Sequence, residues 1–137
     1  MILTAFLQLI AVLISWRVDY HPAFFNALIL TLGTAAIGVF LALDLILFYL
    51  FWELMLIPLF ALIGIWGHEK RIYAAVKFFI YTAVGSLLML VAILYAASHH
   101  HHLIGVWTYD YTDFLSTTPL LASGGFWTPQ VLVFLAF

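Results

Sequence analysis

From Ala23 to Trp66 the chain runs for 44 residues with only two charged side chains, Asp44 and Glu53. A helix rises about 1.5 Å per residue, so about 20 apolar residues span the roughly 30 Å hydrocarbon layer of a bilayer, and this stretch amounts to two crossings. Asp44 divides it, with 21 residues before it from Ala23 and 22 after it to Trp66. Similar runs lie on either side: Met1 to Trp16 precedes the polar break 17–22, and Ile72 to Ala97 follows the break 67–71. The patterning predicts helices at 1–16, 23–43, 45–66 and 72–97, an extramembrane loop at 98–125, and a fifth helix from Pro129 that is cut off at Phe137. An apolar helix interrupted after nine residues leaves carbonyls unsatisfied in lipid, so the chain is expected to be a piece of something longer. The fold class is all-α, a polytopic transmembrane helix bundle forming a single domain over 1–137, with four complete helices and the start of a fifth.

Composition excludes the main alternatives. Only 7% of residues are charged, whereas a soluble globule uses about a quarter. No basic run exists to hold nucleic acid. The chain has no cysteine, which removes disulfides, thiolate metal sites, iron–sulfur ligation and covalent haem attachment. The first apolar run lacks a basic leader and a small-residue cleavage site, so it reads as a membrane helix and not a signal peptide. Arg17 lies in one short loop and Lys70 and Arg71 in another, and the alternation of helices puts both loops on one membrane face. The opposite face, with Asp44 and the 98–125 loop, carries no Lys or Arg. Basic loops face the cytoplasm, so 17–22 and 67–71 are expected on that side.

Ionisable groups inside the membrane carry the functional signal. Glu53 is the ninth residue of the third predicted helix, and a carboxylate near mid-bilayer costs from about 2.5 kcal/mol upward. It must face protein or water, find a partner, or take up a proton, and is either a proton site or a carboxylate paired for packing. Pro58 cannot donate to the carbonyl of Leu54, and so is expected to leave that acceptor free beside Glu53 and to kink the helix. Lys77 is the second candidate, on a stripe with Tyr73 and Tyr81 at four-residue spacing that suits either a hydrated path or snorkelling to the basic face. Lys77 lies about 9 Å of rise from Arg71 and Glu53 about 20 Å from Trp66, so contact between them is expected through water or a third group. Asp44, directly before an apolar helix, suits an N-cap. Gly33, Thr34, Ala35, Ala36 and Gly38, with Ala83, Gly85 and Ser86, are small residues for close helix packing. His99 to His102 read as a solvated stretch of loop with no fixed geometry for a metal ion.

These residues carry a resemblance. The strings Leu43-Asp44-Leu45, Phe51-Trp52-Glu53-Leu54-Met55-Leu56-Ile57-Pro58, Ile63-Gly64-Ile65-Trp66-Gly67, Arg71-Ile72-Tyr73-Ala74-Ala75 and Lys77-Phe78-Phe79-Ile80-Tyr81-Thr82 resemble the chain M (subunit 4) family of antiporter-like membrane subunits of proton-pumping NADH:quinone oxidoreductase, respiratory complex I. The resemblance implies part of a subunit of about fourteen helices and a role in redox-driven proton translocation. Glu53 would match the family's intramembrane glutamate and Lys77 its lysine on the next helix, with Pro58, Tyr81 and Asp44 in support. It also implies a bacterial cytoplasmic membrane, less so a mitochondrial inner membrane, and neighbouring membrane subunits, other antiporter-like ones among them. No cofactor or metal is expected on this chain, with NADH, FMN, iron–sulfur clusters and quinone held by other subunits. The alternatives are a subunit of a related cation/proton antiporter or membrane-bound hydrogenase, and a purely structural membrane spacer.

Overall fold

The computed structural model describes residues 1–113 and is helical almost throughout, with α1 at Ile2–Ser15, α2 at Pro22–Leu41, α3 at Leu45–Trp66 and α4 at Arg71–Ile104. Each helix packs chiefly on the next in sequence, as short connections between antiparallel helices require. The predicted start of a fifth helix lies outside the described residues. By length and composition α2, α3 and α4 can each cross a membrane, while α1 has 14 residues.

The boundaries follow local chemistry. Pro22 opens α2 at a position where its missing N–H is no loss. The second predicted helix, 23–43, ends two residues early at Leu41, because Ala42 is extended and residues 43–45 pair with a later segment. Asp44 caps α3 by accepting from the backbone N–H groups of Ile46 at 2.8 Å and Leu47 at 2.9 Å. At the other end the Arg71 guanidinium donates to the Ile65 carbonyl at 2.7 Å, where a cation complements the helix dipole. Pro58 does not divide α3, which continues through it with the proline ring fully buried.

α4 departs most from the sequence pattern. It was predicted over 72–97 with a loop from residue 98, but it continues to Ile104, so His99 to His102 form its last turns. Nothing in Ser98 to His102 breaks a helix, and the Ser98 hydroxyl folds back to the Tyr95 carbonyl at 2.8 Å. The stop comes at Gly105, which adopts φ +81° and donates its N–H to the His101 carbonyl at 2.7 Å, a left-handed closure that favours glycine. With 34 residues, α4 is about 51 Å long and exceeds the hydrocarbon layer.

Small residues and a few polar bonds bring the helices together. Ala35 is fully buried, and a β-carbon at Gly38 would overlap the Phe51 ring of α3. A β-carbon at Gly33 would overlap the Gln8 side chain, whose amide donates to the Ile29 carbonyl at 2.7 Å and ties α1 to α2. Ser15 of α1 meets the side-chain oxygen of Asn26 on α2. Gly85 differs from the others, since a β-carbon there would meet nothing within 4 Å. Replacing Gly38 by alanine should destabilise the protein by about 1–3 kcal/mol through forced separation of α2 and α3. Adding Phe51→Leu should recover part of that loss, as read by thermal denaturation of the detergent-purified protein; strictly additive effects would show that the two residues do not meet.

Candidate functional site: an intramembrane carboxylate at the α3–α4 contact

The depth of Glu53 can be read from the packing of α3 on α4. The Phe60 and Phe79 rings meet edge to face at 5.5 Å, and a β-carbon at Gly64 would lie 3.8 Å from that of Ala75. The helices run antiparallel, so each step back along α3 is matched by a step forward along α4. Glu53, seven residues before Phe60, therefore stands level with Ser86, seven residues after Phe79. Ser86 is buried at 4% exposure and Glu53 is half-buried.

A third side chain joins them. Tyr49 precedes Glu53 by one turn of α3, and its hydroxyl lies close to both the Glu53 carboxylate and the Ser86 hydroxyl. The Ser86 hydroxyl also reaches the Ala83 carbonyl of its own helix, at 3.0 Å. The result is a polar cluster of carboxylate, phenol and hydroxyl within otherwise apolar helices. Such a cluster can hold a carboxylate in either protonation state, because hydroxyls donate to the charged form and accept from the neutral one.

Lys77 is not brought to this cluster. It lies nine residues from Ser86, which is two and a half turns of helix, so it points from the opposite side of α4 and is offset by about 13.5 Å along the axis. The buried positions of α4, among them Ala75, Ser86, Ile93 and Ala97, share the side facing the bundle. Lys77 instead lies 5.9 Å from the centre of the Tyr73 ring, and with Tyr81 and Gly85 it lines an open groove of about 680 Å³. The stripe of Tyr73, Lys77 and Tyr81 forms as the spacing requires, but it faces outward, and Tyr81 is 84% exposed. Asp44 lies at the head of α3 as its cap, two and a half turns from Glu53. Tyr49 went unnoticed in the sequence although its four-residue spacing from Glu53 is a signal. The sequence marks Ser86 only as a small packing residue.

Both ends of α3 are held. At the Trp66 end the indole N–H donates to the Tyr20 carbonyl at 2.9 Å, and the rings of Tyr20, Phe24 and Phe25 surround the indole. At the Asp44 end a strap of residues 105–113 crosses the α2–α3 turn: Leu45 N–H donates to the Tyr109 carbonyl at 2.9 Å and Tyr111 N–H to the Leu43 carbonyl at 2.8 Å. The strap is anchored on α4 by Trp107, stacked on His101 at 4.6 Å. Among the described residues no group of three or more His, Cys, Asp or Glu is arranged to hold a metal ion.

A helical bundle with three helices long and apolar enough to cross a membrane, and a carboxylate within one of them, is the architecture of a polytopic membrane subunit. The chain belongs to the NADH:quinone oxidoreductase/Mrp antiporter transmembrane family, whose signature matches residues 42–137. It is 41% identical to NADH-quinone oxidoreductase subunit M of Escherichia coli strain K12 over 142 residues, covering 99% of this chain and 28% of that protein. The corresponding subunit of Rhodobacter capsulatus is 43% identical over 98% of this chain and 27% of its own length. An NAD(P)H-quinone oxidoreductase chain 4 of Thermosynechococcus vestitus is 52% identical over 66% of this chain and 17% of its own length. The chain thus spans little more than a quarter of the first two relatives.

The strap gives a pH prediction. Asp110 accepts from the Thr112 backbone N–H at 2.9 Å and the Thr112 hydroxyl at 2.8 Å, and these bonds hold its carboxyl below the ordinary value near 3.8. A carboxyl whose pKa is lower in the folded state contributes stability above its free pKa and loses it as pH falls through the folded one. Protection of the Tyr111 and Leu45 amides, corrected for intrinsic exchange, should therefore be constant above about pH 5 and fall below about pH 4. Asp110→Ala should show the low value throughout; protection that ignores both pH and the substitution would mean the Asp110–Thr112 turn does not hold the strap.

Proposed function

We propose that the chain is part of a membrane subunit of an NADH:quinone oxidoreductase and takes part in redox-driven proton translocation, with Glu53 as the proton-exchanging group. Family membership and the similarity to subunits named NADH-quinone oxidoreductase subunit M support the setting. The observation that carries the reading is a carboxylate deep in an apolar helix whose neighbours, Tyr49 and Ser86, are hydroxyls and not a fixed cation. A carboxylate locked in an ion pair is held charged, whereas one among hydroxyls exchanges its proton when hydration or a nearby charge changes.

Lys77 is the second group, acting at a distance. With about 13.5 Å of height and the width of α4 between them, its field at Glu53 is worth no more than about 1 kcal/mol at an effective dielectric of about 20. That is the scale of a modulator. Electron transfer, with NADH, FMN, iron–sulfur clusters and quinone, is assigned to other subunits of the complex, and other membrane subunits, antiporter-like ones among them, are the partners. The end bearing Arg17, Lys70 and Arg71 is placed on the cytoplasmic side of a bacterial cytoplasmic membrane by the bias of basic residues. The Asp44 turn and the strap, which the Leu43–Tyr111 and Leu45–Tyr109 bonds join, lie together on the opposite side. The family description also names an Mrp antiporter, so sodium-dependent transport without NADH oxidation would move the assignment to that machine.

Glu53→Gln in the full-length subunit, assayed in its complex, should reduce proton translocation by about an order of magnitude or more while redox turnover persists or slows in step. Lys77→Met should reduce it several-fold only, in line with about 1 kcal/mol. Full translocation in Glu53→Gln removes the proposal.

A further inference from the structure

We propose that a cavity between α1 and α2 is a binding site for a phospholipid with a primary-amine headgroup, of the phosphatidylethanolamine class. The cavity holds about 580 Å³ and is lined by Trp16 and Asp19 toward the helix ends, Val12 and Leu30 further in, and Ser15 and Asn26 between them. That volume lies within the roughly 300–1,000 Å³ of small-molecule sites. Leu30 lies eight residues into α2 from Pro22, so the cavity extends about 12 Å from the end of the helix toward the bilayer interior. At that level the bond from the Gln8 amide to the Ile29 carbonyl joins α1 to α2.

The distribution of polarity selects the occupant. Ser15 and Asn26 are satisfied inside the protein: the Ser15 hydroxyl donates to the Val12 carbonyl at 2.6 Å and the Asn26 amide to the Pro22 carbonyl at 3.0 Å. Asp19 makes no ion pair or hydrogen bond with the described residues, so its carboxylate is left for a cation that donates hydrogen bonds. Arg17, in sequence between the lining residues Trp16 and Val18, adds a cation on the same short loop. An anion and a cation two residues apart complement a zwitterion, with the phosphodiester at Arg17 and the ammonium at Asp19. Val12 and Leu30 suit an acyl chain, which a free amine lacks. Trp16, 86% exposed, is the kind of amphipathic ring that lies at headgroup level. A transmembrane helix does not fit the space: with a diameter of about 10 Å and a pitch of about 5.4 Å, one turn fills about 420 Å³. Phosphatidylglycerol leaves Asp19 facing a second anion, and phosphatidylcholine brings a quaternary ammonium with no N–H to donate.

The test uses the full-length subunit in its complex, held in nanodiscs with phosphatidylethanolamine that carries a diazirine in its acyl chain. Irradiation should label the segment 12–30, as read by peptide mass spectrometry. Unlabelled phosphatidylethanolamine should suppress that label several-fold more effectively than phosphatidylglycerol or phosphatidylcholine, the scale of one charge-assisted pair at a partly exposed site. Asp19→Asn should remove most of this preference while labelling elsewhere in the subunit persists, and Arg17→Gln should weaken competition by all three lipids. The competition in the unsubstituted protein decides by itself if a variant fails to assemble. Equal competition by the three lipids there means an annular lipid only and overturns the proposal. A full preference retained in Asp19→Asn overturns it as well, and so does a segment 12–30 that stays unlabelled while other segments of the subunit are labelled.

Discussion

The structure is governed by the cost of placing an ionisable carboxylate where water does not reach freely. Apolar helices satisfy their own backbone groups, which makes α2, α3 and α4 indifferent to lipid, but a carboxylate at mid-helix has no such internal solution. Its requirement shapes the α3–α4 contact around residues 49, 53 and 86. At that level a phenol and a hydroxyl replace the apolar side chains that elsewhere join the two helices, such as Phe60 on Phe79. The choice of neutral donors is informative: a buried cation would compensate the charge more fully and in doing so would remove its freedom to change.

Because the cluster depends on helix register, the fastenings at the ends of α3 have consequences at its middle. Slippage by one residue along α3 would displace Glu53 from Ser86 by about 1.5 Å and rotate it by about 100°. Two devices oppose this. The aromatic group around Trp66 and the Arg71 bond to Ile65 fix one end, while the Asp44 cap and the backbone bonds from the 105–113 strap fix the other. The strap also reaches α4 through Trp107 on His101, so it connects the end of one helix of the cluster with the head of the other.

Much of this was legible in the residues, and what was missed has definite physical causes. Apolar run length located α3 to the residue, and the position of Asp44 before an apolar run announced its cap. The histidines misled because polarity is a poor stop signal: the helix continues until the backbone meets Gly105, whose left-handed conformation ends it. The strap was invisible because backbone-to-backbone pairing of 43–45 with 109–111 leaves no side-chain pattern. Tyr49 and Ser86 could have been found by asking which residues lie one turn from the carboxylate and which stand level with it across the hairpin. The expected helix at 129–137 and most of the expected loop lie outside the described residues.

The separation of Glu53 from Lys77 follows from the geometry of α4 alone. A helix that presents small and apolar residues to α3 at positions 75, 86, 93 and 97 must present the residues half a turn away to the other side, and Lys77 is one of these. α4 therefore acts as a wall with chemistry on both faces, the Tyr49–Glu53–Ser86 cluster on one and the Tyr73–Lys77–Tyr81 groove on the other. Charges placed so cannot neutralise each other by contact, which keeps both responsive to their surroundings. Their coupling is confined to the field across the helix, strong enough to bias a protonation equilibrium by a few-fold and too weak to lock it. Under the proposed role of Glu53 as a proton-exchanging group, that intermediate strength is the useful one, since a full ion pair would hold the carboxylate ionised and complete isolation would make it insensitive to the cation.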